Sequence, residues 1–233
     1  MKREISVQDK KITCIIPAYN EEKRISKVLE IVLNHPLIKE TIVINDNSQD
    51  RTLETIKSFK VSKVINNKKN IGKTQSVLRG LKTARTKIIL LLDADLINLN
   101  KENLSQLILP VLNKQVKVTI ALFGTIPLFR IIGADSGSGQ RVFDKRLVDF
   151  KKIKELERYG LESYMNDIII KNNYPLKIID WKNVGCTTKG GKENSKFPFK
   201  AYMSMWIQMI RTSGFLNFLL QSFKLSHLSS KNK

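Results

Sequence analysis

Between residues 12 and 96, short aliphatic runs alternate with longer segments whose apolar residues return every three or four positions. Ile12 to Ile16, Thr41 to Ile44, Val61 to Ile65 and Ile88 to Leu92 read as strands. The last, in K-I-I-L-L-L-D-A-D, is continuous enough to be buried on both faces of a parallel sheet. Asn20 is expected to cap a helix running to Leu33, with Ile25, Val28, Leu29 and Val32 on one face. Asp50 opens a short helix to about Phe59, and Gly72 one to Ala84 whose apolar face carries Val77, Leu78 and Leu81. Strands and helices in this rhythm predict an α/β fold, a doubly wound and mostly parallel central sheet flanked by helices.

After Asp95 the rhythm changes. Leu104 to Leu109 reads as a short helix and Val116 to Phe123 as a strand; Ile126 to Ile132 is open to the strand reading too. G-A-D-S-G-S-G-Q-R reads as a loop, the basic stretch 144–157 as helical, and Leu161 to Lys171 as a helix aligning Leu161, Met165, Ile168 and Ile169. Leu176 to Asp180 is a strand and 185–196 a loop. This places one domain at 1–198 and a C-terminal amphipathic helical segment with a polar tail at 199–233. The uncharged stretches on either side of Arg211 are each shorter than the ~20 residues a spanning helix needs. Two amphipathic helices hinged at Ser213-Gly214 fit better. They either pack on the domain or lie in a membrane interface.

Composition narrows the partners. Lys+Arg 41 against Asp+Glu 21 gives a formal charge of +20, so the chain should seek anions: nucleic acid, a phosphorylated substrate or an anionic membrane surface. Nucleic acid is disfavoured, because no helix-turn-helix, zinc-finger or RNP pattern is present and aromatics do not interleave with the basic runs. Aromatic and Met-rich apolar surface beside strong positive charge favours the membrane. Cys14 and Cys186 are the only cysteines, too few for a disulfide scaffold or a zinc site. The start, M-K-R-E-I-S-V-Q-D-K-K, has no apolar run of a signal peptide, so a cytoplasmic protein is expected, with a peripheral place on the inner face of the plasma membrane as one outcome.

Asp93 and Asp95 follow the most apolar strand directly. Open α/β sheets bind ligands beyond the carboxyl ends of their strands, and two such carboxylates suit a hard divalent cation that bridges to phosphates. They would equally end a strand and cap the next helix. The order I-I-P-A-Y-N-E-E, V-I-N-D-N-S-Q-D-R-T, N-I-G-K-T and L-L-D-A-D-L over residues 12–96 resembles the family 2 glycosyltransferases, which have the GT-A fold. The segments S-G-S-G-Q-R-V-F and Y-G-L-E-S-Y-M-N-D look like acceptor-side segments of bacterial members, relatives of polyprenol-phosphate sugar transferases and of glucosyl-phosphoglycerate synthase.

The resemblance implies an inverting, metal-dependent transfer of a sugar, a hexose in the first instance, from a nucleotide-diphosphate sugar to an acceptor hydroxyl or phosphate, with a lipid-linked acceptor among the alternatives. Pro17, Ala18, Tyr19 and Glu21 would flank the base and ribose. Asp46 would accept a hydrogen bond from the base, although Asn45 replaces the usual first acid, and an Asx-turn explains Asp46 equally well. Gly72 and Lys73 would meet a phosphate at a helix N-terminus. Asp95 would ligate Mg²⁺ or Mn²⁺, and Asp93 would contact the ribose or share the metal. Ile97 and Cys186 stand where some relatives have Gln and His, so Lys189 and Lys192 are alternative phosphate holders. Ser138, Gly139, Gln140 and Arg141 form a glycine-flanked segment whose arginine suits a phosphate or a sugar hydroxyl. Glu162 would be the catalytic base, or an acid favoured by the helix dipole, with Asp167 a substitute. These departures also leave room for a degenerate, non-catalytic nucleotide-binding protein.

Overall fold

The computed structural model describes residues 11–123, 127–156, 160–186 and 215–231. Strands β1 (Ile12–Ala18), β2 (Ile38–Asn45), β3 (Lys63–Asn66) and β4 (Ile88–Leu91) alternate with helices α1 (Ile25–Leu33), α2 (Thr52–Lys57) and α3 (Lys73–Thr83). The chain continues through β5 (Leu96–Ile97), α4 (Lys101–Leu112), β6 (Val118–Phe123), α5 (Pro127–Ile132), β7 (Arg141–Asp144), α6 (Phe150–Glu155), α7 (Gly160–Lys171), β8 (Leu176–Trp181), β9 (Gly185–Cys186) and α8 (Phe215–Ser230). The main sheet has the order β3-β2-β1-β4-β7-β6-β8. Only β7 runs against the others, pairing antiparallel with both β4 and β6.

Both faces of the sheet are covered, as alternate side chains require. Ile12, Cys14 and Ile16 of β1 join Val28, Leu29 and Val32 of α1 and Leu104, Leu107 and Ile108 of α4. Ile15 joins Val77 and Leu81 of α3, Met165 and Ile169 of α7 and Leu225 of α8 on the opposite face. α3 crosses the sheet closely: a Cβ added at Gly80 would lie 2.6 Å from Ile15 Cγ2.

Several sequence expectations are corrected. Ile126 to Ile132 contains a helix, not a strand, from Pro127; Phe129 and Ile132 pack on Phe218 of α8, with the Phe129 and Phe218 rings edge-on at 5.6 Å. The Gly/Ser loop ends in a strand, because R-V-F-D fills the gap between β4 and β6. Asn20 does not cap α1. It takes a left-handed φ of 57° and accepts from the Gln49 amide, so the helix begins at Ile25. β1 runs on past Ile16, through Pro17 to Ala18. The Ile15 carbonyl accepts from Leu92, and the proline nitrogen two residues on faces the same way, past the last β1–β4 pair, so its missing N–H removes no ladder bond. The hinge at Ser213-Gly214 and the first C-terminal helix lie outside the described residues; the second helix runs on to Ser230.

Candidate active site

The strand order reverses direction between β1 and β4, and the two strands part after the pair Ile15–Leu91. A crevice at such a switch point, beyond the carboxyl ends, is where open α/β sheets take ligands. Pro17, Ala18 and Tyr19 leave β1 on one side of it, and Asp93 and Asp95 leave β4 on the other. Antiparallel pairing places Arg141 opposite Leu91, so the residues just before Arg141 lie alongside Asp93.

The reversed strand thereby builds one wall of the site. Gln140 Nε2 donates to Asp93 Oδ2 at 3.0 Å. Lys73, the first residue of α3, holds Asp93 Oδ1 at 2.6 Å and Glu162 Oε1 of α7 at 3.0 Å. Gly139 passes against this pair: a Cβ there would run into Lys73 Nζ and lie 3.1 Å from Asp93 Oδ2. Ser138 Oγ and Gln140 Oε1 are buried without a hydrogen-bond partner. Buried polar atoms left in this state point to a water or a ligand group.

The charges in the crevice are unequal. Burial alone would raise the Glu162 carboxyl, but Lys73 and then Arg141 hold it below its ordinary value, so it is a carboxylate at neutral pH. Burial pulls Lys73 down, and Asp93 and Glu162 more than reverse this. Asp95 is pushed up to about 7, first by burial and then by the charges of Asp93 and Glu21. Asp135, which the sequence pattern did not single out, is raised to about 6 by burial, and the neighbouring Glu162 adds to the shift. Its only sequence signal is its place at the head of the Gly/Ser loop.

Asp46 and Arg141 do structural work here. Asp46 is buried and accepts from Asn67 Nδ2 and the Ile71 amide through Oδ1, and from the Gly72 amide through Oδ2. It thus fixes the loop whose Gly72, at φ 84°, launches α3 and aims Lys73. Arg141, expected to meet a phosphate or a sugar hydroxyl, is 0% exposed. Its guanidinium donates to the carbonyls of Ser138, Ser136 and Glu162 and to Asn166 Oδ1. Four of its five N–H groups are thus taken by the protein, and it locks the 136–141 segment onto α7.

Glu21 is buried and pairs with Arg24 of the turn before α1. Asp167 is exposed and bonded to Gln221 of α8 at 2.8 Å, which ties it to that helix. β5 pairs with β9 so that Cys186 faces Leu96, the neighbour of Asp95. Among the described residues no group of three His, Cys, Asp or Glu is placed to hold a metal ion. Lys189 and Lys192 lie outside the described residues. Asp93 and Asp95 offer oxygen donors of the kind a hard divalent cation takes, and Asp93 and Glu21 add negative charge beside the buried Asp95.

A doubly wound sheet of this kind places its ligand crevice at the switch point, where the paired acids stand. The model of glycosyl transferase family 2 matches residues 13–156, more than half of the sequence, and the chain belongs to that family. A dolichyl-phosphate beta-glucosyltransferase of Trichomonas vaginalis is 32% identical over 97 residues, covering 36% of this chain and 30% of that protein. A 4,4'-diaponeurosporenoate glycosyltransferase of Staphylococcus aureus is 34% identical over 108 residues, covering 45% of this chain and 29% of that protein. The matched stretches thus span under a third of these relatives' length. The crystal structure of glucosyl-3-phosphoglycerate synthase from Mycobacterium tuberculosis with Mn²⁺, uridine-diphosphate and glucosyl-3-phosphoglycerate superposes with a TM-score of 0.68. It is 17% identical, the match covers 91% of this chain and 80% of that one, and the likeness is one of fold.

Proposed function

We propose that this chain transfers a hexose from a nucleotide-diphosphate sugar to an acceptor hydroxyl or phosphate, with inversion at the anomeric carbon. The observation that carries the reading is the meeting of Asp93, Lys73 and Glu162 at the switch-point crevice, with Asp95 beside them. Pro17, Ala18 and Tyr19 line the side where the nucleoside would lie. Asp95 and Asp93 would hold Mg²⁺ or Mn²⁺, and the glucosyl-3-phosphoglycerate synthase complexes with Mn²⁺ or Mg²⁺ and UDP support that choice. When bound, such an ion supplies a Lewis acid against the charge of the departing diphosphate.

The chain's own residues do the rest. Lys73 reaches from a helix N-terminus, where an amine and backbone N–H groups favour phosphate. A diphosphate that draws its amine away releases Glu162. With a hydroxyl acceptor, Glu162 then takes its proton as the acceptor oxygen bonds to the anomeric carbon and the bond to the diphosphate breaks on the opposite face; a phosphate acceptor attacks through an oxygen already ionised. A positioned base of this kind contributes ~10²–10⁴-fold.

The acceptor reading is a lipid-linked phosphate or hydroxyl at the cytoplasmic face of a membrane. The dolichyl-phosphate transferase supports it, as does the excess of positive charge. Incubation with a panel of nucleotide sugars, Mn²⁺ and polyprenyl phosphate tests the whole reading. The expected result is metal-dependent release of nucleoside diphosphate and a product of inverted anomeric configuration by NMR. A product that retains configuration removes Glu162 from the role of base in a single displacement.

A further inference from the structure

We infer that the outward face of α8 is a docking surface for an anionic lipid bilayer, which the helix meets lying flat in the interface. This names the face that a lipid-linked acceptor would require and rests on that reading for its purpose; the surface itself stands on separate observations.

α8 is apolar on two opposite sides. Phe218, Gln221, Ser222, Leu225 and Leu228 turn into the protein. Leu216, Leu220 and Phe223 are 70%, 45% and 56% exposed. They are spaced by four and three residues, so they form one line along the helix, on the side away from the buried face. Ile131 stands exposed on the adjoining α5. Isolated surface leucines need no explanation, but large side chains aligned on one helix mark an interaction face.

The surrounding charge selects the occupant. Lys224, His227 and Lys231 are exposed on the same side of α8. From Phe215 to Lys231 the sequence has Lys224 and Lys231 and no aspartate or glutamate. A second copy of this face would set like charge against like. An anionic headgroup layer meets the cations while the apolar line enters the acyl boundary. Among the described residues no helix is long and apolar enough to cross a membrane, so α8 would lie along the surface.

The inner side of the same helix reaches the active-site wall. Gln221 Oε1 accepts from Asn166 Nδ2, which also donates to the Ser136 carbonyl, and Ser222 Oγ donates to Ser136 Oγ at 3.0 Å. One helix thickness therefore separates the proposed lipid contact from the segment that carries Gln140 to Asp93. An acceptor headgroup held at the bilayer would lie one helix diameter, ~10–12 Å, from that wall.

Flotation of the whole chain with phosphatidylglycerol vesicles and with phosphatidylcholine vesicles tests this, comparing the wild type with the triple substitution Leu216→Gln, Leu220→Gln, Phe223→Gln. All three positions are exposed, so the fold should persist; the melting temperature and its shift with UDP and Mn²⁺ are read on the same samples. The expected result is binding to the anionic vesicles that weakens with salt and falls at least about tenfold in the variant, with the nucleotide shift unchanged. Equal flotation of both proteins, or of neither, overturns the proposal. So does a wild-type dimer in size-exclusion chromatography that the variant dissolves, which would assign the face to a second copy. A missing nucleotide shift with intact flotation would overturn the transferase reading and leave the lipid surface standing.

Discussion

Lys73 Nζ lies 3.0 Å from Glu162 Oε1 and 2.6 Å from Asp93 Oδ1, so one amine joins the proposed base to the metal-side acid. Glu162→Gln keeps the shape of this contact and removes the proton acceptor. It should leave donor affinity within about threefold and lower kcat by ~10²–10⁴-fold. Calorimetry with donor and steady-state kinetics with the acceptor separate the two. A kcat near that of the wild type would make Glu162 a structural ion-pair partner.

The same pairing predicts a pH effect on stability. The folded Glu162 is held below its ordinary value of 4.5, so its contribution is present above that pH and is lost as the pH falls through the lower folded value. Asp95 behaves oppositely. Its folded value is raised from 3.8 to about 7, so the ion-free protein should lose stability as the pH climbs between these values. Asp95→Asn should therefore stabilise the ion-free protein by at most about 4 kcal/mol at pH 7.5 and by far less near pH 4. Urea unfolding at the two pH values checks this.

Gly139→Ala places a methyl group against Lys73 Nζ and within 3.3 Å of both Asp93 oxygens. The lysine end is flexible and can move aside, so unfolding free energy should change by less than about 1 kcal/mol. The cost should fall on the site, as about a tenfold loss of donor affinity in titration calorimetry. A variant that binds donor normally would show that the Lys73–Asp93 contact is dispensable.

Arg141→Lys tests whether the arginine is a lock or a ligand. Four of its hydrogen bonds go to carbonyls and to Asn166 in a fully buried setting, and an ammonium cannot reproduce that fork. Breaking it should cost about 3–5 kcal/mol. A stable variant with only a raised acceptor KM would restore Arg141 to the substrate.

The first half of the fold was legible because its signals are local. Ile88 to Leu92 can only be a buried strand that ends in acids, and Gly72-Lys73 announces a helix start after a polar loop. The second half depends on distant partners. P-L-F-R-I-I has strand-like residues, yet contact of Phe129 and Ile132 with Phe218 accompanies a helix. R-V-F-D is a strand because two neighbours leave a slot of that width, which no local pattern records. The site divides in the same way. Asp93, Lys73 and Glu162 were all singled out from sequence, but their meeting depends on the reversed β7 and on Arg141 docking α7. Arg141 read as an arginine for a phosphate or a sugar hydroxyl, because the carbonyls that enclose it belong to backbone that any sequence supplies.

The central claim is that Asp95 and Asp93 hold a divalent cation against a nucleoside diphosphate. Titration calorimetry of UDP and of GDP, with and without Mn²⁺, into the wild type and Asp95→Ala tests it most directly. The account predicts Mn²⁺-dependent binding of one nucleotide by the wild type and at least about a hundredfold loss in a folded Asp95→Ala, equivalent to about 2.7 kcal/mol. Equal affinity in the two proteins, or wild-type binding indifferent to Mn²⁺, would contradict it.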